Sequence, residues 1–455
     1  MKLEIRRIEG EFERIAAHSH IKGLGLNERD EAIFKKAGMV GQEKAREAAG
    51  MVVNLIKEGK MAGRAILLAG PPGSGKTAIA VAISKELGYD VPFVSITGSE
   101  IYSAEVKKTE ALRRSLRQAI GVRLREERKV LEGEVTEFIP SKQKTAYRQT
   151  VRGGDLTLKT DAEEVSLSIG PKVAQSLSRQ GVQEGYVVLI DKETGRVQVQ
   201  GLSQKAPESV RYDVGGEPTI PRPKGPVEKE KEFVHTTTLS DLDRLFHERS
   251  SGMLGGGLAA LFGGGAERKE IDQETRDQVD RWVEKRIKEE TAEILPGVLF
   301  IDGTHALDLE AFSFLNRALE NEFAPIVIMA SNRGITKIRG TSIKSPHGMP
   351  LDLLDRSLIV TTEPYNEDEI REIITIRARE ENVKLSDEAL DLLTEFGTEN
   401  SLRYAVWLLA PASTRVERLG RERITVEDLR NVRERFSSIS ESISHVKEYE
   451  ERYLK

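Results

Sequence analysis

The chain has 455 residues, of which 38% are hydrophobic and 31% charged, with a net charge of −5 and no cysteine. That length suits about two to four domains, and the lack of any apolar run of about 18 residues argues against a membrane span. Disulfides and thiolate metal sites are excluded, and a globally basic nucleic-acid binder is disfavoured, though a local basic groove stays open. Residues 1–7 lack the apolar core of a secretory signal. The expected location is therefore cytoplasmic, or nuclear in a eukaryote.

Near the start, residues 18–26 read His-Ser-His-Ile-Lys-Gly-Leu-Gly-Leu. The glycines are too close together for a helix interior. The run reads either as a surface loop or as a nucleotide-base pocket. Two histidines without a nearby third ligand make a poor metal site. A helical pattern follows through Ala45, Ala48, Ala49, Val52, Val53 and Ile56.

Residues 65–69 are an apolar run, predicted as a buried parallel strand. Next comes Gly70-Pro71-Pro72-Gly73-Ser74-Gly75-Lys76-Thr77, which fits the phosphate-binding loop pattern with its strand before and its helix after. Glycines let backbone N–H groups approach phosphate oxygens, and the helix start adds a positive dipole end. Lys76 can reach the outer phosphates, and the Thr77 hydroxyl can hold Mg²⁺.

Residues 91–96 read as a further strand, and 105–125 as a charged helix. Beyond Arg128 the pattern shifts. Segments near 134–139, 155–159, 165–169, 186–190 and 196–200 alternate or are β-branched, which suits a small barrel of OB type. Such barrels often bind single strands, but Phe138, Tyr147 and Tyr186 are too few to advertise base stacking. Residues 218–226 are proline-rich and read as a linker. Residues 250–265 contain seven glycines and read as a connector. A charged helix is expected over 271–290.

Residues 297–302 form another apolar run, ending in Asp302, which is placed to hold Mg²⁺ at a strand tip. Residues 325–332 end in Asn332, at the carboxyl end of a predicted parallel strand where ligands bind. A last core strand is expected at 357–361. From Pro364 the pattern turns helical, with a capping signature at Thr425 to Asp428. The tail after Ser437 reads as polar and frayed.

Together these residues resemble the RuvB-like AAA+ ATPases, the family of Pontin, Reptin and their archaeal relatives. The resemblance rests on the His18 run, residues 61–65, the loop 70–77, Gly98 to Tyr102, residues 133–137, 296–300, Ala330 to Gly334, Ser345 to Arg356 and Ser401 to Tyr404. It implies an α/β fold: a P-loop AAA+ core interrupted by an OB-containing insertion, then a helical lid. The corresponding expectation is core at 1–125, insertion at 126–291, core again at 292–362 and lid at 363–455. It also implies ATP or ADP with Mg²⁺, and a homo-oligomeric hexameric ring, sometimes doubled. The implied partners are client proteins held by the insertion, with DNA or RNA also open. Remodelling or assembly, helicase-related, is the implied activity.

By resemblance, His18, His20, Val40, Gly41, Tyr365 and Ile373 surround adenine, and Asn332 is the first sensor. Arg403 is the second sensor, and Arg356 is the arginine finger of a neighbouring subunit. One departure matters. The family pattern Asp-Glu-x-His reads Asp302-Gly303-Thr304-His305 here. Glycine can neither orient water nor accept a proton, so weakened hydrolysis is expected. Asp308, Glu310 and His305 are the candidates to compensate. An engineered trap, a pseudo-ATPase and a rerouted active site all stay open, and the alternative function is a nucleotide-gated assembly scaffold or chaperone.

Overall fold

A computed structural model describes residues 18 and 20–453, apart from 62, 89, 103–105, 146–147, 206–218 and 256–269. The glycine-rich stretch expected at 250–265 therefore lies, from residue 256 on, outside the described residues. Contacts divide the chain into two compact units. The first holds residues 1–122, 237–284 and 294–455, and the second holds 123–236 and 285–293.

The first unit begins with α1 (Glu43–Lys57), β1 (Ala65–Ala69), α2 (Lys76–Leu87), β2 (Phe93–Thr97) and α3 (Lys108–Gln118). The chain then runs through β3 (Ile120–Thr145), β4 (Arg148–Lys159), β5 (Glu164–Ile169), α4 (Pro171–Arg179), β6 (Tyr186–Asp191), β7 (Val197–Ser203) and β8 (Thr219–Ile220). Helices α5 (Leu239–Gly255) and α6 (Gln273–Lys288) precede β9 (Val298–Asp302), α7 (Leu309–Leu319), β10 (Ile326–Ser331), α8 (Leu351–Asp355) and β11 (Ser357–Thr361). The lid comprises α9 (Glu367–Glu380), α10 (Asp387–Glu399), α11 (Leu402–Arg418) and α12 (Val426–Arg433), followed by α13 (Ile439–Tyr453).

Five strands of the first unit form a parallel sheet in the order β11-β1-β10-β9-β2. The central strands are apolar on both faces because helices cover both. Side chains alternate along each strand. Ile66, Leu68, Phe300 and Ile328 meet α1 and α2 in one cluster. Leu67, Leu299, Ile301, Val327 and Met329 meet α3 and α7 in another. All strands share a direction, so their carboxyl ends bring the P-loop, Asp302 and Asn332 to one edge.

The lid packs Ile370, Ile374, Leu393, Phe396, Leu408, Leu409 and Leu429 into its own core. Capping boxes at Asn366/Glu369 and Thr425/Asp428 fix the starts of α9 and α12.

In the second unit an antiparallel path runs β5-β4-β3-β6-β7, with α4 between β5 and β6. Val135, Leu156, Leu158, Ala174, Leu177, Val188 and Leu202 form its core. This arrangement is consistent with the OB-type expectation. Part of the proline-rich 218–226 segment joins the sheet, since β8 pairs with β7 at Leu202 and Ser203.

Three expectations need correction. The charged helix ends at Gln118, and β3 takes over at Ile120. Dense charge masked the strand's period of two. Residues 237–284 belong to the first unit, not to the insertion. The reason is a buried ionic cluster: Arg117 pairs with Asp243 and Asp280, and Arg276 with Glu110. The tail after Ser437 is the helix α13. It opens with Ser438 Oγ accepting from Glu441 N and Glu441 Oε2 accepting from Ser438 N.

Candidate functional site

The loop Gly70–Thr77 joins β1 to α2. Gly73 and Gly75 hold φ of 80° and 83°, the left-handed region that favours glycine. A Cβ on Gly75 would stand 2.3 Å from the Tyr365 hydroxyl, so glycine here also lets the lid hinge close onto the loop. Gly70 N donates to Ser331 O at 3.2 Å. Ser74 Oγ donates to Pro71 O at 2.8 Å and lies 2.6 Å from Thr362 Oγ1. Lys76 Nζ donates to Gly70 O and Pro71 O at 2.9 and 2.6 Å. The loop is thus braced by β10 on one side and by the end of β11 on the other.

A cavity of about 680 Å³ opens beside this loop. Of the residues predicted for the site, Pro72, Gly73, Gly75, Lys76, Thr77, His18, His20, Val40, Tyr365, Ile373, Asp302, Asn332 and Arg403 all line it. Gly70, Pro71 and Ser74 do not; they shape the loop behind it. Gly41 also stands back. Its φ of +59°, and the Glu369 carboxylate that a Cβ would strike, make it a close-packing point against α9. Arg356 lies away from the cavity, where its Nη1 donates to Glu320 Oε1 at 2.5 Å.

The base-side wall is built from residues far apart in sequence. Buried Arg46 donates to Leu24 O, Gly25 O and Gly41 O at 2.7, 2.8 and 3.0 Å, clamping the glycine-containing run that carries His18 and His20. Gln42 exchanges two hydrogen bonds with the Glu363 backbone, tying that run to the lid hinge. Of the two readings of residues 18–26, the cavity wall is therefore the one with geometric support.

Electrostatics follow from burial. His18 is held down at about 4, by burial first and then by His20, Arg377 and Arg403. Burial also lowers His20. Burial lowers Lys76, while Asp302 opposes the shift. Burial lowers His305 as well, aided by Arg333 and opposed by Asp302. Both wall histidines are therefore neutral at pH 7, apolar planes able to accept one hydrogen bond each.

The fit to Mg²⁺ rests on the donor set. Asp302 ends a buried strand, its carboxylate accepts no hydrogen bond from the described residues, and it shares the cavity with the Thr77 hydroxyl. Two hard oxygens beside a phosphate loop suit a magnesium ion, which keeps much of its water.

Several lining residues had not been singled out. Arg377 on α9 and Glu381, the residue that caps its end, follow Ile373 at four-residue steps, and Val406, Trp407 and Ala410 share the α11 face of Arg403. Helical periodicity from a residue already in hand would have found them.

A parallel sheet in this order, a phosphate loop at its edge and a helical lid over the cavity define a P-loop protein of the AAA+ class. Among known protein families, residues 14–368 match the TIP49 P-loop domain and residues 373–437 match the TIP49 AAA-lid domain. The chain belongs to this family, the RuvB-like AAA+ ATPases. Among the described residues, no helix is long and apolar enough to cross a membrane.

Proposed function

We propose that the chain binds ATP and ADP with Mg²⁺ at the subunit interfaces of a homo-oligomeric ring. It uses slow hydrolysis to drive remodelling or assembly of protein or protein–nucleic-acid complexes. One observation carries this reading: Lys76, Thr77, Asp302, Asn332 and Arg403, from loop, strands and lid, line a single cavity.

In this reading the loop N–H groups and the start of α2 hold the phosphates. Lys76 exchanges loop carbonyls for the outer phosphate oxygens. Bound Mg²⁺, held by Thr77 and Asp302, would neutralise charge across the phosphates. Asn332 faces the attacking water, and Arg403 reports the phosphate state to the lid. His18, His20, Val40, Tyr365 and Ile373 enclose adenine. Arg356 serves a neighbour's γ-phosphate, where a guanidinium stabilises charge spread over the transferring group. Residues 123–236 form the insertion that meets clients, in a hexamer or a doubled ring.

A second reading, a nucleotide-gated scaffold with little turnover, is favoured by Gly303 alone. Calorimetry separates both from a chain that does not use nucleotide. Wild type should bind ADP, and Lys76→Ala should lose at least about tenfold in affinity, the loss of one charge-assisted contact. No heat of binding on folded protein would sink the proposal. Phosphate release then ranks the motor against the scaffold.

A further inference from the structure

The cavity needs a group that faces the attacking water, and position 303 offers none. Two acids considered in its place are occupied elsewhere. Asp308 caps α7, accepting from Ala311 N at 3.0 Å and from Lys108 Nζ at 2.6 Å. Glu310 pairs with the same lysine at 2.5 Å. Neither lines the cavity. Glu381 does, but it is bound to Arg377 at 2.6 Å.

His305 differs from all three. It lines the cavity beside Asp302 and Asn332. A Cβ built on Gly303 has one heavy-atom neighbour within 4 Å, the His305 Cε1, at 3.6 Å. That carbon sits between the two ring nitrogens, so the imidazole stands in front of position 303. Its Nδ1 is buried and has no hydrogen-bond partner among the described residues. The turn carrying it is fixed: Thr304 Oγ1 donates to Ala330 O at 3.2 Å, and Arg339 Nη1 donates to Ala306 O at 2.7 Å.

We propose that His305 supplies the water-directing function that Gly303 lacks. The inference rests on the reading of this cavity as an ATP site. The water oxygen bonds to the γ-phosphorus, and the bond from that phosphorus to the bridging oxygen breaks, leaving its electron pair on ADP. One water proton passes to the imidazole and on to solvent, and the other stays on the released phosphate. In a glutamate-bearing site the carboxylate would do this; here a ring three positions from Asp302 does it.

The test uses the full chain in five forms: wild type, His305→Ala, His305→Gln, Gly303→Glu and the His305→Ala, Gly303→Glu double variant. Single-turnover phosphate release is measured with affinity for ADP and for ADP–aluminium fluoride, a mimic of the transferring group. His305→Ala should slow release by about 10²-fold, within the range of a lost general base. It should leave ADP affinity unchanged and weaken ADP–aluminium fluoride binding. On the Gly303→Glu background the same change should cost far less, because the new carboxylate takes over. His305→Gln, which keeps an acceptor, guards against a folding artefact, and all forms are compared by thermal melting.

Equal losses on both backgrounds, or release by His305→Ala as fast as wild type, would overturn the proposal. So would a wild type that binds nucleotide but never releases phosphate, an outcome that leaves the nucleotide site standing. No binding of ADP by folded wild type would remove the ATP-site reading, and this proposal with it.

Discussion

Arg356 and Thr362 stand at opposite ends of one strand. Thr362 touches Ser74 in the phosphate loop, while Arg356, just before β11, pairs with Glu320. Five residues of extended chain lie between them, a separation of roughly 20 Å. An arginine so placed cannot reach its own loop. It should therefore act on another subunit.

Arg356→Ala should keep ADP affinity and lose about 10³-fold or more in turnover, the usual worth of such an arginine. Lys76→Ala should lose both. Mixed on a Gly303→Glu background, the two variants should recover part of the rate, because some interfaces then hold an intact lysine and an intact arginine. A mixed assembly confirmed by mass measurement, yet no faster than either parent, would count against action between subunits.

Arg46 makes a second prediction. It is fully buried, and its three hydrogen bonds end on backbone carbonyls of the segments behind the cavity wall. Arg46→Leu would leave Leu24 O and Gly41 O without a donor, at about 1–3 kcal/mol each, while Gly25 O keeps its bond from Ile33 N at 3.2 Å. A lower melting temperature and weaker ADP binding should appear together. Arg46→Lys should rescue only part, since an ammonium lacks the planar fork. A variant that melts with wild type and binds ADP normally would contradict this.

The phosphate loop was legible because its residues are consecutive. The core strands were legible because burial on both faces writes continuous apolar runs such as residues 65–69 and 298–301. The unit boundary was not legible. It depends on Arg117 meeting Asp243, 126 positions away, and charged residues at that distance read as solvated faces. Arg377 and Trp407 were missed for a related reason. Helical spacing from Ile373 and Arg403 marks the face they share, but that this face meets the loop follows from how the lid folds back over it. The departure at Gly303 is legible in the sequence, but its setting is not: the turn of the folded chain is what puts the His305 ring in front of it.

Gly303 itself has φ 65° and ψ 47°, the left-handed region. A Cβ there meets no atom closer than 3.6 Å, so the cost of Gly303→Ala is conformational rather than steric. That cost should be roughly 1–2 kcal/mol. Thermal denaturation should show a drop of a few degrees, at about 2–4 °C per kcal/mol for a domain of this size class. A melting temperature unchanged or raised would mean that the turn relaxes out of this conformation.

The chain contains two tryptophans, and only one is near the cavity. Trp407 lines it with 69% of its surface exposed, whereas Trp282 packs edge-on against Phe246. Adding ADP should change the emission of Trp407. The change should survive Trp282→Phe, vanish in Trp407→Phe and saturate at the calorimetric affinity. A signal that follows Trp282 instead would place the nucleotide's effect outside this cavity.

The last prediction concerns acid. His18 titrates at about 4 in the folded protein against 6.5 for a free side chain, chiefly through burial, with His20, Arg377 and Arg403 adding to it. The folded value is depressed, so folding favours the neutral ring. The stabilisation is fully present above 6.5 and is lost as pH falls toward 4, because the unfolded chain binds the proton first. His20 shifts the same way, with Glu380 opposing. Melting temperature and ADP affinity should be flat between about pH 7 and 8 and decline below about 6.5. His18→Asn, which cannot titrate, should flatten the acid limb relative to wild type. If wild type and His18→Asn lose stability in parallel over that window, the buried imidazole is not the group responsible.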